Sequence, residues 1–146
     1  MTEPAESNSF LELIAAKTEP IAAFLGLEVL ELGQGYTRIR MLVRPEFLNF
    51  YGVAFGGIIM SLADQAFGYA INSVNYPGMA LQFDISFLAS ARLGDRLTAE
   101  GKVIKNGKRI GVAEVNVFNQ DGRLIARATG TTITVSPAAG APAVGE

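Results

Sequence analysis

Between residues 56 and 74 apolar positions recur at a helical period, and on either side of that stretch the period drops to two. In GGIIMSLADQAFGYAIN, Ile58, Ile59, Leu62, Ala63, Ala66, Phe67 and Ala70 cover most of a helix circumference. The polar or small exceptions are Ser61, Asp64, Gln65, Gly68 and Asn72. At about 100° per residue these fall on one narrow stripe. The spacing predicts one long helix over about residues 57–74, with the stripe facing away from whatever covers the rest.

Shorter elements flank it. Ser9 and Glu12 form a capping-box pattern, and Phe10, Leu13 and Ile14 follow at helical spacing. Pro20 restarts a turn and Gly26 stops it, so one or two short helices are expected over residues 9–25. Residues 27–32 and 36–43 read as strands. In the second, Thr37, Ile39, Met41 and Val43 share one face, while Tyr36, Arg38 and Arg40 share the other. After the helix come four more strand-like runs, at 81–89, 96–105, 109–119 and 124–135. Asn106-Gly107 and Asp121-Gly122 mark hairpins among them. These four runs read as an antiparallel meander.

A long apolar helix needs a sheet to cover it, and an antiparallel sheet of this size has one oily face to offer. The expected class is therefore α+β: a curved antiparallel sheet of about six strands wrapped around one long central helix, with a short N-terminal helical segment. Residues 1–136 are expected to form a single domain. Residues 137–146, small and Pro-containing, read as a disordered tail.

Composition narrows the chemistry. The 146 residues carry a formal net charge of −2 and contain neither cysteine nor histidine. Disulfides, thiolate nucleophiles, Ser-His-Asp and Cys-His arrangements and histidine-based metal sites are thereby excluded. No metal and no cofactor is expected. The weak net charge and scattered basic residues argue against nucleic acid and membrane partners. A polar amino terminus and the lack of a spanning apolar run predict a soluble, cytoplasmic protein.

Carboxylates, lysines, tyrosines, amides and backbone dipoles remain. Asp64 lies too deep in the helix to cap it, and positions 60, 61, 67 and 68 carry no cation to pair with it. A solvated helix face normally carries several charges, so a lone carboxylate here suggests a partly buried cleft. The plainer reading is the wet side of an amphipathic helix. Gly56-Gly57, at the helix start, offers backbone N–H groups suited to an anion or a developing oxyanion. The plainer reading there is tight packing of the helix end.

Asn49, Phe55-Gly56-Gly57 and the run from Leu62 to Ser73, together with Asp84-Ile85-Ser86-Phe87-Leu88 and Arg92-Leu93-Gly94-Asp95, resemble the PaaI-like acyl-CoA thioesterases of the hotdog fold, in the 4-hydroxybenzoyl-CoA thioesterase superfamily. The resemblance spans about residues 20–135. It implies that Asp64 is base or nucleophile, that the Gly56 amide meets the thioester oxygen, and that Asn49 holds water or substrate. It departs at one point: Phe55 stands where the family's motif carries histidine. The resemblance implies hydrolysis of an aryl- or medium-chain acyl-CoA. The exchange at Phe55 leaves a non-catalytic acyl-CoA-binding protein as the alternative.

Phe55, Gly57 and Gln65 are the expected substrate contacts beside Asp64. Arg92, Lys105, Lys108 and Arg109 are candidates for the CoA phosphates. Gly56 and Asp64 are eight residues apart, about 12 Å along one helix, too far for both to reach one thioester carbon. Two antiparallel copies related by a two-fold axis solve this. A homodimer with its site at the subunit interface, or a dimer of dimers, is expected.

Overall fold

The computed structural model describes residues 9–135. The order is α1 (Ser9–Ala16), α2 (Pro20–Leu25), β1 (Glu28–Gly33), β2 (Tyr36–Leu42), a 3-10 turn (Pro45–Phe47), α3 (Gly56–Asn72), β3 (Gly78–Phe87), β4 (Arg96–Asn106), β5 (Ile110–Phe118) and β6 (Leu124–Thr134). The disorder expected of residues 137–146 lies outside the described residues. α1 includes Ser9, so its cap position also falls outside them.

All six strands join one antiparallel sheet, ordered β1-β2-β4-β5-β6-β3. α3 packs on one face of it and touches every strand. Alternation along the strands decides which face that is. Thr37, Ile39, Met41 and Val43 are fully buried, as are Leu97 and Ala99 of β4 and Val115 and Val117 of β5. From α3, Ile59, Leu62, Ala63, Ala66, Phe67 and Ala70 complete the core. Each fully buried Leu-, Ile- or Phe-sized side chain contributes about 1.5–3 kcal/mol. At Gly101 the strand passes so close to α3 that an added Cβ would sit 2.7 Å from the Ala66 carbonyl oxygen. A glycine there is what lets the sheet close on the helix.

Two expectations are corrected. β3 does not open a four-strand meander. It lies at the far edge, paired with β6 (Phe83 opposite Gly130, Asp84 opposite Thr129), and the loop after it returns the chain to β4, between β2 and β5. Alternation specifies which face of a strand is buried, not which neighbour it pairs with. The helix runs Gly56–Asn72 rather than 57–74, with Ser73 as its C-cap. The Asn106-Gly107 hairpin forms, but Asn106 still pairs with Gly111 and neither residue has positive φ, so it is not the two-residue turn that the pair favours.

Candidate active site

The start of α3 is set by the loop before it. The Asn49 side-chain oxygen accepts the N–H groups of Tyr51 (2.9 Å) and Val53 (3.4 Å), while the Asn49 N–H donates to the Val53 carbonyl. The Ala54 N–H donates to Ala91, and the Phe55 N–H to Phe47 (2.7 Å). Phe55 thereby becomes the N-cap residue, in extended conformation, with a side chain that cannot cap. Its carbonyl accepts from Ile58 and Ile59. Among the described residues, the N–H groups of Gly56 and Gly57 have no acceptor, as geometry demands of a first helical turn.

Two aromatic rings crowd these glycines. An added Cβ at Gly56 would lie 3.2 Å from the Phe87 ring, and one at Gly57 would lie 2.6 Å from the Phe55 ring. The tight-packing reading of the glycine pair therefore describes part of the structure. The pair also remains the one stretch of α3 with spare donors.

Asp64 comes two turns later on the predicted stripe. The structure keeps that stripe off the sheet: Asp64 is exposed in the protomer, and Ser61, Gln65, Gly68 and Asn72 are partly so. No cation pairs with Asp64 among the described residues. Burial of part of its surroundings, and then the negative charge of Glu19, hold its carboxyl above the ordinary aspartate range.

Glu19 was not legible in the sequence. It precedes α2, makes no side-chain cap there, and instead reaches across to α3. Its carboxylate accepts the Gln65 side-chain N–H (2.6 Å) and the Tyr69 hydroxyl (3.2 Å). The Tyr69 ring meets Phe10 of α1 edge-on, 5.4 Å between centroids. Phe10 of α1 and Glu19, just before α2, thus flank one side of the stripe, which amphipathic patterning alone left open. Between them, α3 and the start of β3 lies a cavity of about 360 Å³, walled by Phe10, Phe67, Tyr69 and Met79, with Glu19, Asp64 and Asn72 as its polar side. Nothing lies within 4 Å of an added Cβ at Gly68, so the cavity stays open one helical turn beyond Asp64.

Within one protomer the expected residues fall into three groups. Asn49, Phe55, Gly56 and Gly57 gather at the first turn of α3, with Arg92 bridged to Val53 beside them. Asp64 and Gln65 lie mid-helix on the cavity. Lys105, Lys108 and Arg109 belong to the β4–β5 hairpin, whose Gly107 carbonyl accepts from Asn75 just past the other end of α3. Among the described residues no set of three or more acidic side chains is grouped to hold a metal, and no helix is long and apolar enough to cross a membrane.

The chain is similar in sequence and fold to known proteins. Acyl-coenzyme A thioesterase PaaI of Escherichia coli is 34% identical over 110 residues, 75% of this chain and 79% of that protein. Human acyl-coenzyme A thioesterase 13 is 27% identical over 127 residues, 83% of this chain and 91% of that one. The solved structure of E. coli PaaI, from the phenylacetic acid degradation operon, superposes with a TM-score of 0.84 at 29% identity, covering 91% of this chain and 97% of that one. A hypothetical thioesterase protein of Streptococcus pneumoniae, crystallised with coenzyme A, gives 0.76 at 33% identity, covering 80% and 91%. The thioesterase superfamily model matches residues 51–126, the span that holds the glycine pair, Asp64 and most of the sheet. The six-stranded sheet around α3 and these similarities agree: the chain belongs to the thioesterase superfamily.

Proposed function

We propose that this protein is an acyl-CoA thioesterase, cleaving an aryl- or medium-chain acyl-CoA to the free acid and CoA. The observation that carries the reading is Asp64: a carboxyl of raised pKa, with no cation paired to it among the described residues, on the wall of the cavity along α3, in a chain of this superfamily. An ordinary aspartate, near pKa 3.9, is a weak base at neutral pH. Raising its pKa makes it a better one. Asp64 takes a proton from water as the oxygen attacks the thioester carbon, or attacks that carbon itself. The C–O bond forms and the carbonyl oxygen becomes an oxyanion, which the Gly56 N–H stabilises. In the base route collapse breaks the C–S bond, and the proton taken by Asp64 leaves with the CoA thiol. In the nucleophile route collapse expels CoA thiolate and leaves a mixed anhydride on Asp64. Water hydrolyses that anhydride to the free acid, while one of its protons goes to the thiolate.

The Gly56 and Asp64 that serve one thioester belong to different subunits, because about 12 Å of helix separates them within one chain. An antiparallel homodimer brings the first turn of one α3 toward the middle of the other. Exposed apolar residues near that first turn, Phe50, Tyr51, Phe87 and Leu88, support a covered surface there. The same pairing would bring Arg92 of one subunit toward the Lys105–Arg109 hairpin of the other, so that both sets could serve the CoA phosphates of one site. In this scheme Asn49 acts through its turn, whose bonds occupy its side-chain oxygen, and through its amide nitrogen toward water.

Phe55 favours a second reading, acyl-CoA binding without turnover, since its ring lies on the glycine pair and offers no hydrogen bond. Free-thiol release from a panel of acyl-CoAs by the purified protein separates the two. Turnover of any member above the uncatalysed rate supports the enzyme. Tight binding with no thiol release across the panel supports the binding protein.

A further inference from the structure

The Glu19 carboxylate is the one charged group from outside α3 that lines the cavity beside Asp64, among the described residues. α1 contributes Phe10 there, β3 contributes Gly78, Met79 and Ala80, and β6 contributes Thr132. From α3 itself the titratable groups are Asp64 and Tyr69. Glu19 is held in place from two sides. Gln65, the neighbour of Asp64 in sequence, donates to it at 2.6 Å, and Tyr69, one turn further on, donates at 3.2 Å to the same oxygen. As the N-cap residue of α2 it could have capped its own helix, yet its side chain makes no cap bond.

We propose that Glu19 is a positioning residue for thioester hydrolysis: by gripping Gln65 and Tyr69 it docks the N-terminal helices on α3 and fixes a second carboxylate beside Asp64 in the same cavity. This rests on the reading of Asp64 as base or nucleophile. Two like charges facing one cavity oppose each other's ionisation. Glu19 spends its carboxylate oxygen on two donors, Gln65 and Tyr69. Asp64, which accepts no hydrogen bond among the described residues, absorbs the repulsion and holds its proton more tightly. The raised Asp64 pKa, attributed to burial first and to Glu19 second, agrees with this. Glu19 also lines the cavity beside Asp64, so the contact that docks the helices is the one that sets the charge.

The sign of the effect follows. Asp64 acts in its ionised form, so the rate falls on the acid side as it takes up a proton. Removing the Glu19 charge makes Asp64 ionise more readily and act as a weaker base. In Glu19→Gln an amide oxygen still accepts from Gln65 and Tyr69, so the docking survives and the charge does not.

The test is the kcat–pH profile of wild type, Glu19→Gln, Glu19→Ala and Asp64→Asn on phenylacetyl-CoA and hexanoyl-CoA, with Tm measured on each sample. For Glu19→Gln the expected result is a near-native Tm, an acid limb moved to lower pH, and a plateau kcat lower by about three- to tenfold. That loss is a small part of the roughly 10²–10⁴-fold a positioned base supplies. Glu19→Ala should move the limb the same way and also lower Tm, because it loses the grip. An unmoved acid limb in both Glu19 variants, with Asp64→Asn inactive, overturns the proposal and leaves Asp64 its role. Undiminished turnover in Asp64→Asn overturns the reading of Asp64 itself.

Discussion

The ring of Phe55 lies over Gly57, 2.6 Å from where a methyl group at Gly57 would stand. The ring is 56% exposed, so it can swing aside at little cost. Gly57→Ala should therefore leave Tm level or slightly higher, since alanine loses less backbone entropy than glycine in a helix. It should also lower kcat/KM severalfold, because the surface at the first turn of α3 is rebuilt. A large fall in Tm would mean that the ring is rigidly held.

The same exposure bears on Phe55→His. A solvent-facing substitution of this kind changes stability by about 0.5 kcal/mol or less. The imidazole brings a donor to the glycine pair that phenylalanine lacks. With an acyl-CoA the wild type already hydrolyses, kcat should rise. An intact fold with no gain in kcat would assign the ring a role in holding this protein's own acyl group.

Where the sequence was informative, local periodicity was the reason. Ile39 and Met41 alternate with Arg38 and Arg40, and both buried partners stand on the face toward α3. The Asp64 stripe was legible because five non-core residues fall within one arc of a helix. The position of β3 was not legible, since Phe83 and Ile85 alternate with Asp84 and Ser86 equally well beside β4 or β6. Glu19 was invisible for a related reason. Its partners stand 46 and 50 residues away, and a glutamate before a proline reads locally as a helix start.

The contact between β4 and α3 predicts one specific cost. Gly101→Ala would drive a methyl group to 2.7 Å from the Ala66 carbonyl oxygen, and the closest obstacle is backbone rather than a movable side chain. Strand and helix must separate, with an overpacking cost of about 1–3 kcal/mol. Urea denaturation should show a lower midpoint with an unchanged slope. A wild-type midpoint would show that the sheet can shift without loss.

Assembly is open to direct measurement. If Gly56 and Asp64 act on one thioester, as proposed, their separation of about 12 Å along one helix calls for a second chain. Sedimentation at micromolar protein should give a homodimer or a dimer of dimers. Phe87→Asp, in the exposed apolar surface beside Gly56, should weaken the assembly and lower turnover with it. A monomer with full activity would remove the shared site.

Asp64→Asn tests the centre of the scheme. Asparagine keeps the shape and much of the hydrogen bonding but removes charge and basicity. Turnover should fall by roughly 10²–10⁴-fold or more, the usual contribution of a positioned base. Affinity for a non-hydrolysable acyl-CoA should hold, since it would come from the apolar walls and the CoA contacts. Stability carries a sign that can be worked out. Folding raises the Asp64 pKa, chiefly by burial and then by Glu19, so the folded state binds its proton more tightly than the unfolded chain. The aspartate therefore costs no stability below its unfolded pKa, and stability is lost as pH rises through the folded one. Where Asp64 is ionised in the folded protein the wild type bears that penalty, and Asp64→Asn removes it. The variant should melt at the same temperature or higher at pH 7, with any advantage fading in acid. A variant with native kcat and a lower Tm at pH 7 would mark Asp64 as structural and shift the weight to the binding-protein reading.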